Sequence, residues 1–205
     1  MILIAIGANY NLFMRLNAGQ IQESGEFNWV EVKKAYDIFL NYPDEKNTCK
    51  LSSLLPNKKY HFSDGKLAEE VTSYMKMDWS NYQILECEAY FGNYFAAEAI
   101  YRLISISDAA STETLLDSLS TLIRIKPENL LGVLYENGWD DFRLKGIMQW
   151  LLFLGDHGND VYIYNNSMRI KAIESVSDAR FGYLKKRCIS ILKNEIEDIK
   201  KYREK

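Results

Sequence analysis

ILECEAYFGNYFAAEAIYRLISI, residues 84–106, is an apolar run interrupted only by Glu86, Glu88, Asn93, Glu98, Arg102 and Ser105. At about 100° per residue these do not gather on one wide solvated face, so the run predicts a single long helix buried around most of its circumference. Leu85, Ala89, Gly92, Ala96, Ala99 and Leu103 recur at three- and four-residue spacing, and four of the six are small. Such a stripe predicts a seam where another helix approaches closely. Tyr90, Tyr94, Ala97, Tyr101 and Ile104 form a second, space-filling stripe. Glu98 and Arg102 stand four apart, in the order that favours an ion pair.

Downstream, Ser111-Thr112-Glu113 reads as a helix N-cap, followed by an amphipathic stripe of Leu115, Leu116, Leu119, Leu122 and Ile123. Pro127 suits the first turn of a further helix that carries Leu130, Leu131 and Leu134 to Asn137-Gly138. The piece from Leu115 to Leu134, with its leucine spacing and the hinge Lys126-Pro127-Glu128-Asn129, resembles hairpins of the HEAT and armadillo class. That resemblance covers about a quarter of the chain. It implies a helical scaffold presenting a binding surface and carries no catalytic residue with it.

Outward from this centre, Asn28 predicts the cap of a helix through Leu40, stopped by Pro43. Asp44 to Gly65 reads as a long polar connection with an apolar knot at Leu51, Leu54 and Leu55. Leu67, Val71, Tyr74 and Met75 mark a helix ending near Asp78. Asp140 predicts the cap of a helix bearing Phe142, Ile147, Met148, Leu151 and Leu152 and ending at Gly155. Val161 to Tyr164 fits a short strand or a first helical turn equally. Phe181, Leu184, Cys188, Ile191, Leu192, Ile199 and Tyr202 give the last helix one apolar face. Met1 to Met14 is uncharged but too short to span a bilayer of about 30 Å, and no basic region precedes Ile2-Leu3-Ile4-Ala5-Ile6. It reads as folded structure, a short N-terminal strand ending at Gly7. The expectation is a mostly α chain: one domain over residues 1–205, built as an irregular helical bundle or a short α-solenoid of stacked hairpins.

The 205 residues are 47% hydrophobic and 26% charged, the balance of a globular chain and not of a disordered one. A net charge of −3 argues against a protein that relies on neutralising phosphates, and suits a basic protein partner. Cys49, Cys87 and Cys188 are odd in number and far apart, so no disulfide framework or zinc site is expected. Cys87 and Cys188 lie on apolar helices and read as buried, inert thiols. That pattern fits a reducing, cytoplasmic setting.

Candidates for chemistry are few. His157, flanked by Asp156 and Asp160, together with Glu88 and Glu98, is the set an acid–base hydrolase would draw on. Glu86 and Glu88, two residues apart on a helix, project away from each other and cannot pair. No nucleophile elbow, phosphate loop, dinucleotide turn or metal-ligand spacing is present, so no cofactor or metal is expected. Asn165-Asn166-Ser167 matches a glycosylation acceptor. Lys58, Lys59, Lys185, Lys186 and Arg187 would have to share a face to bind nucleic acid. The 14 Tyr and 4 Trp lean toward a recognition surface. Tyr90, Tyr94 and Tyr101 belong to the core. Tyr10, Tyr60, Tyr82, Tyr162 and Tyr164 have polar neighbours, and Tyr60, His61, Tyr162 and Tyr164 are the candidate partner contacts. The function expected is a protein-binding module without catalysis, of the kind in which an immunity protein neutralises a partner.

Overall fold

The computed structural model describes residues 27–57, 65–76, 79–150 and 159–203. Among them are ten α-helices and no strand. They are α1 Trp29–Asn41, α2 Glu45–Leu54, α3 Gly65–Lys76, α4 Trp79–Phe91, α5 Tyr94–Leu103, α6 Ala109–Ile125, α7 Pro127–Asn137, α8 Asp141–Gln149, α9 Asn159–Ser175 and α10 Gly182–Arg203. A 3-10 turn, Ala179–Phe181, leads into α10. The chain is mostly α, as its periodicity requires. The expected N-terminal strand lies outside the described residues.

The run at 84–106 is two helices, not one. Gly92 takes φ 108°, a conformation that side chains rarely adopt. Its N–H bonds the Ala89 carbonyl at 3.0 Å while the Asn93 N–H reaches back to Glu88 at 2.9 Å. These paired bonds close the C-terminus of α4. Asn93 then opens α5 at once, its side chain accepting from the Ala96 N–H. Glycine followed by an N-cap asparagine outweighs the apolar period, and α4 and α5 fold against each other. The small-residue seam is buried but divided. Leu85 and Ala89 sit in α4, Ala96, Ala99 and Leu103 in α5, and all five are buried.

Four further expectations change, at α2, the α6 cap, Phe142 and Cys87, and one open choice, at Val161–Tyr164, is settled. The connection after Asp44 is α2, capped by the Asp44 carboxylate on the Asn47 N–H at 2.7 Å. Its buried face carries Thr48 and Ser52 beside Leu51, and those polar residues hid the helical period. α6 starts from Asp108, not Ser111: Asp108 accepts the Ser111 N–H at 2.8 Å. Val161–Tyr164 is helical, within α9. Phe142 and Cys87 are exposed, not buried. Phe142 is two residues from Leu144, across the α8 axis from the buried Leu144, Ile147 and Met148. The caps at Asn28 and Asp140, the proline start of α7 and its Gly138 stop (φ 74°) are as expected. α8 ends at Gln149, and residues 151–158 lie outside the described set.

α5 packs on α2, α4, α6 and α7, and α6 also meets α8 and α9. α9 and α10 pair along their lengths, and α10 covers α8. The largest fully buried side chain is Arg169 of α9, 1% exposed. Its guanidinium donates to the carbonyls of Met148 (2.8 Å), Ile147 (3.2 Å), Trp150 (3.2 Å) and Ser120 (3.3 Å), and to the Ser120 hydroxyl. Three of these carbonyls end α8, where no intrahelical donor exists. Burial lowers the Arg169 pKa to about 10, still a cation at neutral pH.

Gly92→Ala should cost about 1–2 kcal/mol in denaturant unfolding. An added Cβ would meet only the Lys126 side chain, at 3.4 Å, so the cost is backbone conformation and not a clash. An unchanged midpoint would show that the α4–α5 turn does not need the positive φ. Arg169→Met should cost at least about 3 kcal/mol, because several buried carbonyls at roughly 1–3 kcal/mol each lose their donor. A loss under about 1 kcal/mol would mean that water takes them over.

Candidate functional site: an aromatic ridge and the cleft beside it

Glu98 is committed to architecture. Its Oε1 accepts from Arg102 at 3.0 Å and from the Asn137 amide at 2.9 Å, and its Oε2 accepts from the Ser52 hydroxyl at 2.8 Å. Arg102 in turn donates to the Asn137 side-chain oxygen at 2.8 Å and to the Ser52 and Leu55 carbonyls. One carboxylate thereby joins α2, α5 and α7. Glu88 is half-buried and accepts from the Asn93 amide at 3.1 Å, and that amide also donates to Thr48 at 3.0 Å. Asp156, His157, Tyr60 and His61 lie outside the described residues. The histidine and aspartate of the acid–base set thus lie outside the described residues, and the two described acids, Glu88 and Glu98, are engaged in hydrogen bonds within the chain.

Glu86, which cannot pair with Glu88, finds other partners. The Tyr82 hydroxyl donates to Ser118 at 2.6 Å, Ser118 donates to Glu86 Oε1 at 2.6 Å, and Tyr90 donates to the same oxygen at 2.8 Å. A serine on a carboxylate resembles a nucleophile with its base. Here the Ser118 side chain is fully buried and no substrate reaches it. Burial pushes the Tyr82 phenol well up, and burial plus the bond to Glu86 raises Tyr90. Tyr82, expected among polar surroundings, is core. Beside this chain, Asp117 Oδ1 is buried without a hydrogen bond. Burial and the charge of Glu86 raise its pKa, against the pull of Arg169.

Exposed Tyr135, Phe142 and Tyr183 lie around the half-buried Trp139, where α7 ends and α8 and α10 begin, while Tyr42, Phe91 and Tyr164 are exposed at other places. Trp139 stacks on Tyr183 with centroids 6.0 Å apart, and Tyr135 meets Phe181 edge-on at 5.6 Å. Arg180 lies 5.4 Å from the Phe181 centroid and pairs with Asp178. Tyr183 is 71% exposed and Phe142 87%. Beside this ridge opens a cleft of about 550 Å³, whose lining includes Asn57, Tyr101, Ile104, Trp139, Phe142 and Arg143. The Tyr101 hydroxyl donates to the Gly138 carbonyl at 2.7 Å, which fixes its buried ring beneath the cleft. Burial raises the Tyr101 pKa, opposed by Arg143. The Arg143 guanidinium lies 5.5 Å from the Tyr101 centroid.

Of the expected partner contacts, Tyr162 is half-buried and Tyr164 exposed on the first turns of α9, and neither lines this cleft. Of the basic cluster, Lys58 and Lys59 lie outside the described residues. Lys185 donates to the carbonyls of Glu174 and Val176, and Arg187 pairs with Asp141 at 2.7 Å. That bond lowers the Asp141 pKa. The Cys188 thiol is buried and pushed up to about 12, as expected of an inert cysteine. Asn165 and Asn166 are buried, which seals the glycosylation tripeptide. Among the described residues no group of three His, Cys, Asp or Glu side chains fits a metal ion, and no helix is long and apolar enough to cross a membrane. Trp139, Tyr183 and Arg143 were not singled out by sequence. The legible signal was Phe142, which falls off the apolar stripe of its own helix.

The described residues form a mostly α-helical bundle with a ridge of aromatic side chains at the α7–α8–α10 corner. No protein-family model matches the chain, and no curated protein or solved structure matches it either.

Because the folded Asp117 carboxyl has a raised pKa, its contribution to stability is present below the unfolded value and is lost as pH rises through the folded one. Asp117→Asn should therefore gain on the wild type as pH climbs from about 4 to about 7, read from urea midpoints. A gap that narrows with rising pH would reverse this assignment.

Proposed function

We propose that this chain is a protein-binding module without catalysis, and that the ridge of Tyr135, Trp139, Phe142 and Tyr183 is its contact surface. One observation carries the reading: exposed Tyr135, Phe142 and Tyr183 surround the half-buried Trp139, and ring contacts hold Tyr135 and Tyr183 in place. Trp139 is stacked on Tyr183, and Tyr135 rests on the buried Phe181. Rings held this way lose little entropy on association and bury large areas, the pattern of interface anchors. The helix acids support the same reading, since Glu98 and Glu86 are engaged in interior hydrogen bonds. Lys185 and Arg187 are engaged within the chain, which weakens a nucleic-acid reading.

The finer proposal is a partner-neutralising role of the immunity kind, with a basic protein as the partner. The net charge of −3 supports it, as do exposed Glu136 and Asp140 at the edge of the ridge. Affinity capture from the native cells, identification of the partner and titration of the two purified proteins test it. Tyr135→Ser combined with Tyr183→Ser should weaken binding at least tenfold, about 1.4 kcal/mol, with an unchanged melting temperature. Added salt should slow association. Recovery of the chain alone, or a double variant that binds as tightly as wild type, refutes the ridge as the interface.

A further inference from the structure

We propose that the cleft beside Trp139 and Phe142, underlain by the buried Tyr101 and Ile104, binds a small, flat aromatic carboxylate, with the ring against Trp139 and Phe142 and the carboxylate on the Arg143 guanidinium. This goes beyond the ridge as a protein contact and holds whether or not the ridge takes a partner. At about 550 Å³ the cleft falls in the range of small-molecule sites, with more than enough room for a two-ring acid.

The buried floor and one wall are fixed before any ligand arrives. Tyr101 is tied by its hydroxyl to Gly138, and Trp139 is braced from outside by Tyr183. Preformed surfaces avoid the ordering cost that weakens small ligands. Phe142 forms an exposed lip, and nothing within the described chain explains a phenyl ring 87% exposed beside a cleft. Aromatic faces on this scale select flat rings by offset or edge-on contact.

Arg143 sets the charge of the ligand. Its side chain is only 14% exposed, yet its hydrogen-bond partners are neutral: the Ser105 hydroxyl at 3.1 Å and the Asn57 carbonyl at 3.4 Å. Among the described residues the carboxylate paired with it, Asp140, is 4.0 Å from Nε, 64% exposed, and holds the Arg143 backbone N–H at 2.7 Å with its other oxygen. A guanidinium braced by neutral acceptors over the Tyr101 ring keeps donors for an incoming anion. One cation with an aspartate close by suits a monoanion. Any anion meets Asp140 as a like charge, and a phosphate dianion meets about twice the repulsion of a carboxylate, so the carboxylate is favoured.

Calorimetric titration of the full chain with indole-3-acetate, indole-3-acetamide and phenyl phosphate tests this without any variant. Indole-3-acetate should bind in the micromolar to low millimolar range, at least tenfold tighter than its neutral amide and than phenyl phosphate. Arg143→Gln should erase the preference for acid over amide. Because that variant also gives up the bond to Ser105, Phe142→Ala, at an exposed position, supplies a second reading: both ligands should weaken and the acid preference should persist. No saturable binding of indole-3-acetate, equal binding of acid and amide, tighter binding of phenyl phosphate, or an unchanged affinity in Phe142→Ala would each overturn the proposal.

Discussion

The ten helices of the described residues leave many backbone carbonyls without intrahelical donors, and Arg102, Arg169 and Lys185 each close one such end. Arg102 of α5 donates to the Ser52 and Leu55 carbonyls at the end of α2. Arg169 of α9 holds the Ile147, Met148 and Trp150 carbonyls at the end of α8. Lys185 of α10 holds the Glu174 and Val176 carbonyls at the end of α9. Each is a cation at a helix C-terminus, where the dipole is negative, so one bond set satisfies both the orphan groups and the charge. Each also comes from a different helix than the one it closes. The helix ends are thus tied across the bundle, and α2, α8 and α9 are fixed in length and place by tertiary contact.

The same rule accounts for the acids. Glu98 is buried enough to need partners and finds them on three helices, with Arg102 balancing its charge. Glu86 is satisfied by hydroxyls from α4 and α6. Carboxylates satisfied in this way add specificity to the packing and leave little for substrate chemistry. Asp117 is the exception, with one buried oxygen unpaired beside a cation that has no carboxylate in hydrogen-bond contact.

What remains chemically unassigned by the core is the α7–α8–α10 corner. Here α7 stops at Gly138 and α8 restarts from Asp140, and that sharp turn leaves Trp139 half-buried at the edge of the core and Phe142 exposed. The ring contacts Trp139–Tyr183 and Tyr135–Phe181 order this corner, and an ordered surface loses less entropy when something binds to it, which is why the proposed contact falls here.

Local rules settled most helices from sequence: Asn28, Asp140, Pro127 and Gly138 mark real boundaries because capping involves only neighbouring residues. The Gly92–Asn93 break was equally local, and its cues were present, but a long apolar period masked them. Two buried polar residues, Thr48 and Ser52, masked α2 in the opposite way. Tertiary structure alone decided the rest. Nothing around Arg169 distinguishes it from an exposed arginine, because its acceptors lie 21 and 49 residues away along the chain, at Met148 and Ser120. The ridge likewise joins Trp139 to Tyr183 and Tyr135 to Phe181. Periodicity tells which face of a helix avoids water, whereas partners drawn from distant segments depend on how the helices are arranged in space, which no local pattern encodes.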